Sequence, residues 1–440
     1  MKRKVAVVEI KPFKATVLNP KLENRDELIC PIYDTIDTSQ YEKYSARKNN
    51  VIHFTTRKER VAEKEFVDSS KQNLNRFFND MILIECKKPA FYIYGVRYRL
   101  SEEIMEQIPE GDRRETYFAF GLVALVKVEK LNSLNILRHE KTYEASTLER
   151  YELMKECEMN FSPIVAEYNM PSHDINHIFE DFLGFRRPDL KIDERRKPIV
   201  DVVLNGARHL LWEIADEEII GKIQELMLKK KILILDGHHR YAASYWLSRE
   251  GDVGTASAYT LMMLLEGGDR ALLLLPWHRC VRKCRIDDLW TRVKENFVVE
   301  SYDKNESEDV MSTIYSKLRE CNGDFDVRLC MYDGKKFYLL RADEQKIRKL
   351  AEERGERVGL DVISLHEWLI GKPEDIVFVS RPKDAIEKVD MGACEVAFFL
   401  KPLRISDVEY KARVEKKGFP QKSTLFLPKV AEGVVMRKFV

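Results

Sequence analysis

Glycine is scarce in this chain, 19 in 440 residues, and nowhere does it form a Gly-x-Gly-x-x-Gly run ahead of a helical pattern. That excludes the dinucleotide fingerprint, whose glycines let the backbone approach a pyrophosphate. A Gly-x-Ser-x-Gly elbow and a kinase-type His-Arg-Asp loop are missing as well, which leaves the common hydrolase and protein-kinase signatures without support. Neither charge sign is in excess: 74 Lys and Arg stand against 73 Asp and Glu, a net charge of +1. A dedicated nucleic-acid binder carries a basic face or domain, so no nucleic-acid partner is expected. Apolar runs such as residues 261–265 and 271–275 are far too short to span a bilayer. They read as buried strands, and no membrane association is expected. Eight cysteines are scattered, with only Cys280 and Cys284 near each other and no second pair at zinc-ribbon spacing. The basic start, Met1-Lys-Arg-Lys4, leads to an apolar stretch that Glu9 and Lys11 interrupt at once, unlike a secretory signal. The cysteines are therefore expected to be reduced core residues of a cytoplasmic protein.

What is present is ordinary globular material, 44% hydrophobic and 33% charged, long enough for two or three structural units. The class is expected to be α+β. Residues 1–129 read as a β-rich segment of short strands and turns, with strands at residues 91–99 and 117–127 and a polar loop at 102–115. Residues 130–285 alternate helix and strand patterns. A helix is expected at 217–228 and a strand at 232–236, with 259–265 and 272–275 as paired central strands. Residues 286–440 read as an α/β region, with helices at 287–297, 306–320, 343–354 and 362–370 and a hairpin at Asp333-Gly334. The stretch 418–429 is rich in uncommon side chains, and a free tail would be plainer, so it is expected to dock on the body.

The densest chemistry lies at Ile232-Leu-Ile-Leu-Asp236-Gly237-His238-His239-Arg240-Tyr241. A strand that stops at Asp-Gly and restarts as a helix aims backbone N–H groups, two imidazoles and a guanidinium at one point, which suits a phosphate. Gly237 would make the turn, and His239 and Arg240 would hold phosphate oxygens. Asp236 would hold a metal ion or orient a histidine. The plainer alternative is a strand–turn–helix junction with solvated polar residues. A second cluster, Arg138-His139-Glu140-Lys141-Thr142, offers Glu140 as a general base and Lys141 as a phosphate cation; as a surface loop it would need neither role. Pro276-Trp277-His278-Arg279 ends a strand, where site residues often sit. Gly206-Ala-Arg208-His209 reads as a hairpin turn. Gln421-Lys422-Ser423-Thr424 has a lysine and hydroxyls suited to phosphate but no Walker glycines.

Asp236-Gly-His-His-Arg-Tyr241 resembles the signature of a prokaryotic family of unknown function, whose relatives include free serine kinases with a ParB/sulfiredoxin-like fold. The resemblance runs through Ile10-Lys-Pro-Phe-Lys-Ala15, Cys30-Pro-Ile-Tyr-Asp34, Phe91-Tyr-Ile-Tyr94, His139-Glu-Lys-Thr142, Asn160-Phe-Ser-Pro-Ile164, Pro276-Trp-His-Arg279 and Gln421-Lys-Ser-Thr424 to Pro428-Lys429. Ile32, Trp277 and Phe419 depart from the usual residues without removing a charged candidate. The resemblance implies a ParB/sulfiredoxin-like core over residues 130–285. It implies a phosphotransferase with an alcohol acceptor, a nucleotide donor (ADP or ATP) and magnesium. It also implies Asp236 as a magnesium-associated acid, with His238, His239 and Arg240 around the phosphates. The expected catalytic set is Glu140, Asp236 and His239. Gly237, His238, Arg240, Lys141, Thr142, His278 and Arg279 are expected at the phosphates, and Tyr33, Asp34, Arg208, Lys422 and Ser423 at the substrate. Tyr33-Asp34 and Lys422-Ser423 should then fold back onto the Asp236 loop. The leading reading is a small-molecule kinase, with free L-serine as one acceptor giving O-phosphoserine. The alternatives are a ParB-like nucleotide-binding module without turnover and a phosphoserine phosphatase-like hydrolase.

Overall fold

The computed structural model describes residues 8–184, 196–250, 255–304, 310–320, 323–371, 375–420 and 422–439. Gln421 and the start of the helix expected at 306–320 lie outside them.

A nine-stranded mixed sheet forms the larger unit. Its strands are β1 (Ile10–Lys11), β2 (Phe91–Tyr98), β3 (Tyr117–Lys127), β4 (Ile136–Leu137), β5 (Ile164–Tyr168), β6 (Val200–Leu204), β7 (Ala207–Ile214), β8 (Ile232–Asp236) and β9 (Tyr259–Glu266). They lie in the order β6-β7-β2-β3-β9-β5-β8-β4, with β1 beside β3. β2, β3, β8 and β9 are almost continuously apolar because both faces are covered. On one face, Ile93, Phe120, Ala166 and Ile234 pack with two amphipathic helices, Asp174–Leu183 and Glu217–Met227. On the other, Tyr94, Val165, Leu235 and Met263 meet the N-terminal helices and the C-terminal segment, including Phe419, Phe426 and Met436.

The smaller unit is a six-stranded antiparallel sheet of β10 (His278–Val281), β11 (Phe297–Asp303), β12 (Arg328–Tyr332), β13 (Lys336–Ala342), β14 (Ile376–Val379) and β15 (Val396–Phe399). The order is β11-β13-β12-β15-β10-β14, and β12 and β13 form the hairpin expected at Asp333-Gly334.

Two expectations change. The N-terminal segment is not mainly strands and turns: residues 38–79 hold three helices, Thr38–Ser45, Ile52–Thr55 and α1 (Glu63–Asn79). In α1 the buried Phe66, Ser70, Leu74 and Phe77 recur at helical spacing, and polar residues fill the outer face. Leu273–Leu275 does not pair with β9. The turn through Gly268, at φ +83°, carries it out of the sheet, and it takes Leu425–Leu427 as its partner. The C-terminal segment is docked as expected. Besides that pair, Ala431–Glu432 joins Cys30–Pro31, and Arg437–Lys438 joins Met159–Asn160. Among the described residues no helix is long and apolar enough to cross a membrane.

One buried carboxyl of the large sheet sets a pH dependence. Glu167 on β5 is 2% exposed, and neither of its oxygens has a hydrogen-bond partner among the described residues. Burial pushes it up to about 8; Glu409 adds to this and Arg413 opposes it. In the unfolded chain the same carboxyl titrates near 4.5. Because the folded value is the higher one, its contribution to stability is complete at acid pH and is lost as pH rises toward 8. Glu167→Gln is therefore expected to stabilise the fold at pH 9 by roughly 2–4 kcal/mol and to be near neutral at pH 4.5. Thermal denaturation of both proteins across that range reads this directly.

Candidate phosphate-binding site

β4 and β8 run parallel, with Ile232 beside Ile136 and Leu233 beside Leu137. Glu140 and Asp236 each lie three residues beyond the last paired position, so both carboxylates emerge together at the C-terminal ends of parallel strands. A β-bulge finishes the placement. Ile234 opposes Ala166 and Asp236 opposes Val165, so one extra residue of β8 is taken up there and re-aims the Asp236 side chain. Gly237 follows at φ +92°, and among the described residues no side chain caps the first N–H groups of the helix His238–Ser248.

Gly237 has a second constraint. A Cβ there would lie 2.8 Å from Arg240 Nη2 and 2.9 Å from its Cζ. That guanidinium cannot simply swing away, because Nη1 donates to Ser162 Oγ at 3.0 Å and to the Pro163 carbonyl at 2.7 Å. Gly237→Ala is expected to cost about 1–3 kcal/mol of stability, read by thermal denaturation.

The N-terminus of this helix is ringed by charge. Lys429 Nζ donates to Asp236 Oδ2 at 2.5 Å, and Arg240 Nη2 lies 3.8 Å from Oδ1. Burial works to raise the Asp236 carboxyl, but Lys429 and Arg240 outweigh it and hold the group well below the usual carboxylate range. Glu140 is different. Burial raises its carboxyl, and although Lys422 opposes this, Asp236 and Asp34 add to it. Glu140 Oε1 accepts the Lys422 backbone N–H at 3.0 Å, and Oε2 is 3.9 Å from His238 Nδ1. His238 is 5% exposed, and burial with the neighbouring His139 lowers its ring well below the ordinary value. His238 Nε2 and Arg240 Nε and Nη2 are buried without a hydrogen-bond partner among the described residues. Unmet guanidinium N–H groups beside an uncapped helix start suit an anion.

The structure brings most of the expected residues together. Tyr33 and Asp34 sit on a short turn, with the Arg150 guanidinium 4.1 Å above the Tyr33 ring. Burial lowers the half-buried His239 ring and Asp34 raises it; His239 Nδ1 meets Thr147 Oγ1 at 3.2 Å. Lys422 holds Glu140 through its N–H, while its ammonium lies 4.8 Å above the Trp277 ring. Ser423 turns inward, donating to the Pro420 carbonyl at 2.6 Å.

Others fall elsewhere or serve differently. Arg208 pairs with Asp201 across its own hairpin at 2.6 Å, an ordinary cross-strand ion pair. His278 belongs to the core of the smaller sheet: Tyr315 OH meets its Nε2 at 3.1 Å, and burial drops its ring to about 3. Arg279 does not face the phosphate pocket. It is fully buried and donates to the carbonyls of Trp277 and Lys422, so it braces Lys422. Lys141 is exposed and runs past Gly418, and Thr142 is half-buried beyond it on the way to the helix Glu144–Cys157.

The donor set does not fit a magnesium ion on Asp236. Both carboxylate oxygens face cations, and among the described residues no group of three or more His, Cys, Asp or Glu side chains is arranged to hold a metal.

Sequence reasoning missed four residues here. His139 is fully buried, with Nδ1 on the Ile234 carbonyl at 2.8 Å and Nε2 on Thr424 Oγ1 at 3.1 Å. Burial lowers it to about 4, so it ties β8 to the C-terminal loop as a neutral ring. Lys429, Arg150 and Glu432 are the others. Glu432 accepts from Ser162 Oγ at 3.1 Å, and burial pushes it up to about 7. Lys429 was legible only as the end of a polar C-terminal motif.

A family model described as "Protein of unknown function (DUF1015)" matches residues 10–363. The chain belongs to that family. No functionally curated protein matches it. Among solved structures it is similar to a free serine kinase in complex with AMP, at 14% identity, 67% of this chain, 84% of that one and a TM-score of 0.32. A conserved hypothetical protein from Pyrococcus furiosus matches at 14% identity, 67% and 87% coverage and a TM-score of 0.31. C-terminally truncated SbnI from Staphylococcus aureus matches at 11% identity, 70% and 85% coverage and a TM-score of 0.35. Those scores establish neither a common fold nor a common activity.

Proposed function

We propose that this chain is a cytoplasmic small-molecule phosphotransferase that moves a phosphoryl group from a nucleotide to an alcohol. The observation that carries the reading is one juxtaposition. An uncapped helix N-terminus, with His238 Nε2 and Arg240 Nε buried without a hydrogen-bond partner among the described residues, lies beside the carboxylate of Glu140, which burial raises. Phosphoryl transfer needs a cradle, fixed cations and a base, and little covalent chemistry from the protein. The N–H groups at the start of His238–Ser248, with Arg240 and Lys429, take the phosphate oxygens. The Glu140 carboxylate accepts the proton of the acceptor hydroxyl as its oxygen attacks phosphorus, and the bond to the nucleotide's bridging oxygen breaks with its electron pair. His239, Asp34, Tyr33 and Lys422 line the acceptor side. In this reading the ParB/sulfiredoxin-like core expected over residues 130–285 also takes in β1, β2 and β3 from the N-terminal segment (1–129), while β10 goes with the C-terminal region (286–440).

The resemblance of residues 236–240 to the free serine kinase loop makes L-serine the first acceptor to try. The test is a phosphorus NMR survey of ADP and ATP, each with and without magnesium, against serine and other small alcohols. A new phosphomonoester resonance with equimolar loss of donor is expected. Tight nucleotide binding without turnover across the panel, or phosphate released from phosphoserine without nucleotide, contradicts the proposal.

A further inference from the structure

The expectation of magnesium on Asp236 meets an obstacle that is itself informative. Lys429 Nζ sits 2.5 Å from Oδ2 and Arg240 Nη2 sits 3.8 Å from Oδ1. Two positive charges therefore converge on one carboxylate, the charge that a divalent ion would bring. The Lys429 side chain is 27% exposed and that of Asp236 only 11%, so the lysine is the more accessible member of the pair. An ammonium has three N–H bonds, and the one spent on Asp236 leaves two for a ligand. Backbone on both sides holds Lys429 in place: Leu425–Leu427 pairs with Leu273–Leu275, and Ala431–Glu432 pairs with Cys30–Pro31. Arg240 is fixed by Ser162 and Pro163.

We infer that Lys429 takes the place of a divalent cation at Asp236 and is the residue that binds the nucleotide's terminal phosphate there. The identity of the anion rests on the phosphotransferase reading; the replacement of the metal does not. Asp236 orients the Lys429 ammonium and carries no ion. A phosphate oxygen approaching the start of His238–Ser248 meets Lys429 and the Arg240 guanidinium, whose Nη2 is ion-paired with Asp236 but makes no hydrogen bond among the described residues. Any divalent ion in the reaction then arrives on the nucleotide and is not ligated by Asp236.

The test uses the full chain and two readouts: ADP binding by calorimetry with EDTA or magnesium, and Mn2+ binding by electron paramagnetic resonance without nucleotide. Wild type is expected to hold ADP within about threefold of the same affinity in both buffers and to take up no Mn2+ at this site. Lys429→Met is expected to lose at least about tenfold in ADP affinity in EDTA and to gain a bound Mn2+, while Lys429→Arg keeps ADP. Stoichiometric Mn2+ on the wild type that Asp236→Asn removes would overturn the inference. So would ADP affinity that collapses in EDTA, a reading that needs no variant to fold. If ADP does not bind at all, the phosphotransferase reading fails, and the Mn2+ comparison still decides whether Lys429 fills the cation position.

Discussion

Asp236→Ala is expected to lower phosphoryl transfer by roughly 10³-fold, on the order of 4 kcal/mol of transition-state stabilisation. The effect has two sources. The carboxylate aims Lys429, at 2.5 Å, and partly neutralises Arg240, which is 6% exposed. Without it the ammonium loses its anchor, and Arg240 loses its ion-pair partner while still acting on the Glu432 carboxyl, which burial pushes up to about 7. Breaking a buried charge pair from one side costs about 3 kcal/mol or more, so a lower melting temperature should accompany the lost activity. Measuring kcat/KM together with thermal stability separates the two. Full activity in a destabilised variant would remove Asp236 from the site.

Glu140→Gln is expected to cut kcat by roughly 10²–10⁴-fold, the usual worth of a general base, with little change in nucleotide affinity. The amide keeps the oxygen that accepts the Lys422 N–H, so Lys422 should hold its position. The pH profile carries the diagnostic information. A base must be ionised, and burial raises the Glu140 carboxyl above its ordinary value. Wild-type kcat should therefore climb with pH through that raised value and then level off. The rising limb should vanish in Glu140→Gln. A variant that keeps both the rate and the limb would mean that another group takes the proton.

How far the sequence anticipated this arrangement depends on the kind of contact involved. Local signals were faithful. The apolar run ending at Asp236-Gly237 is a strand and a helix start, and Asp333-Gly334 closes a hairpin. Motifs also led to the expectation of Tyr33, Glu140 and Lys422 near the Asp236 loop, and the Lys422 N–H does meet Glu140 although more than 280 positions separate them. What the sequence could not carry was direction. His278 and Arg279 adjoin at a strand end, yet alternation sends His278 to Tyr315 in the core and Arg279 to the Lys422 carbonyl. Arg208 follows a hairpin turn, and only the register shows that its partner is Asp201. The leucines at 273–275 looked like a central strand because apolar runs do not announce their partner. α1 was missed even though its period is plain, because the surrounding prolines and short extended stretches set the expectation for the whole segment. Lys429 lacked any local context: its meaning comes from Asp236, which lies 193 positions earlier in the chain.

The account stands on the claim that phosphate binds at the start of His238–Ser248. A crystal structure of the full chain grown with ADP tests that claim most directly. The terminal phosphate is expected within hydrogen-bond distance of the first backbone N–H groups of that helix and of Lys429 Nζ, with Glu140 facing the open side. ADP bound elsewhere, with Asp236 and Lys429 still paired to each other and no phosphate between them and the helix, would contradict it.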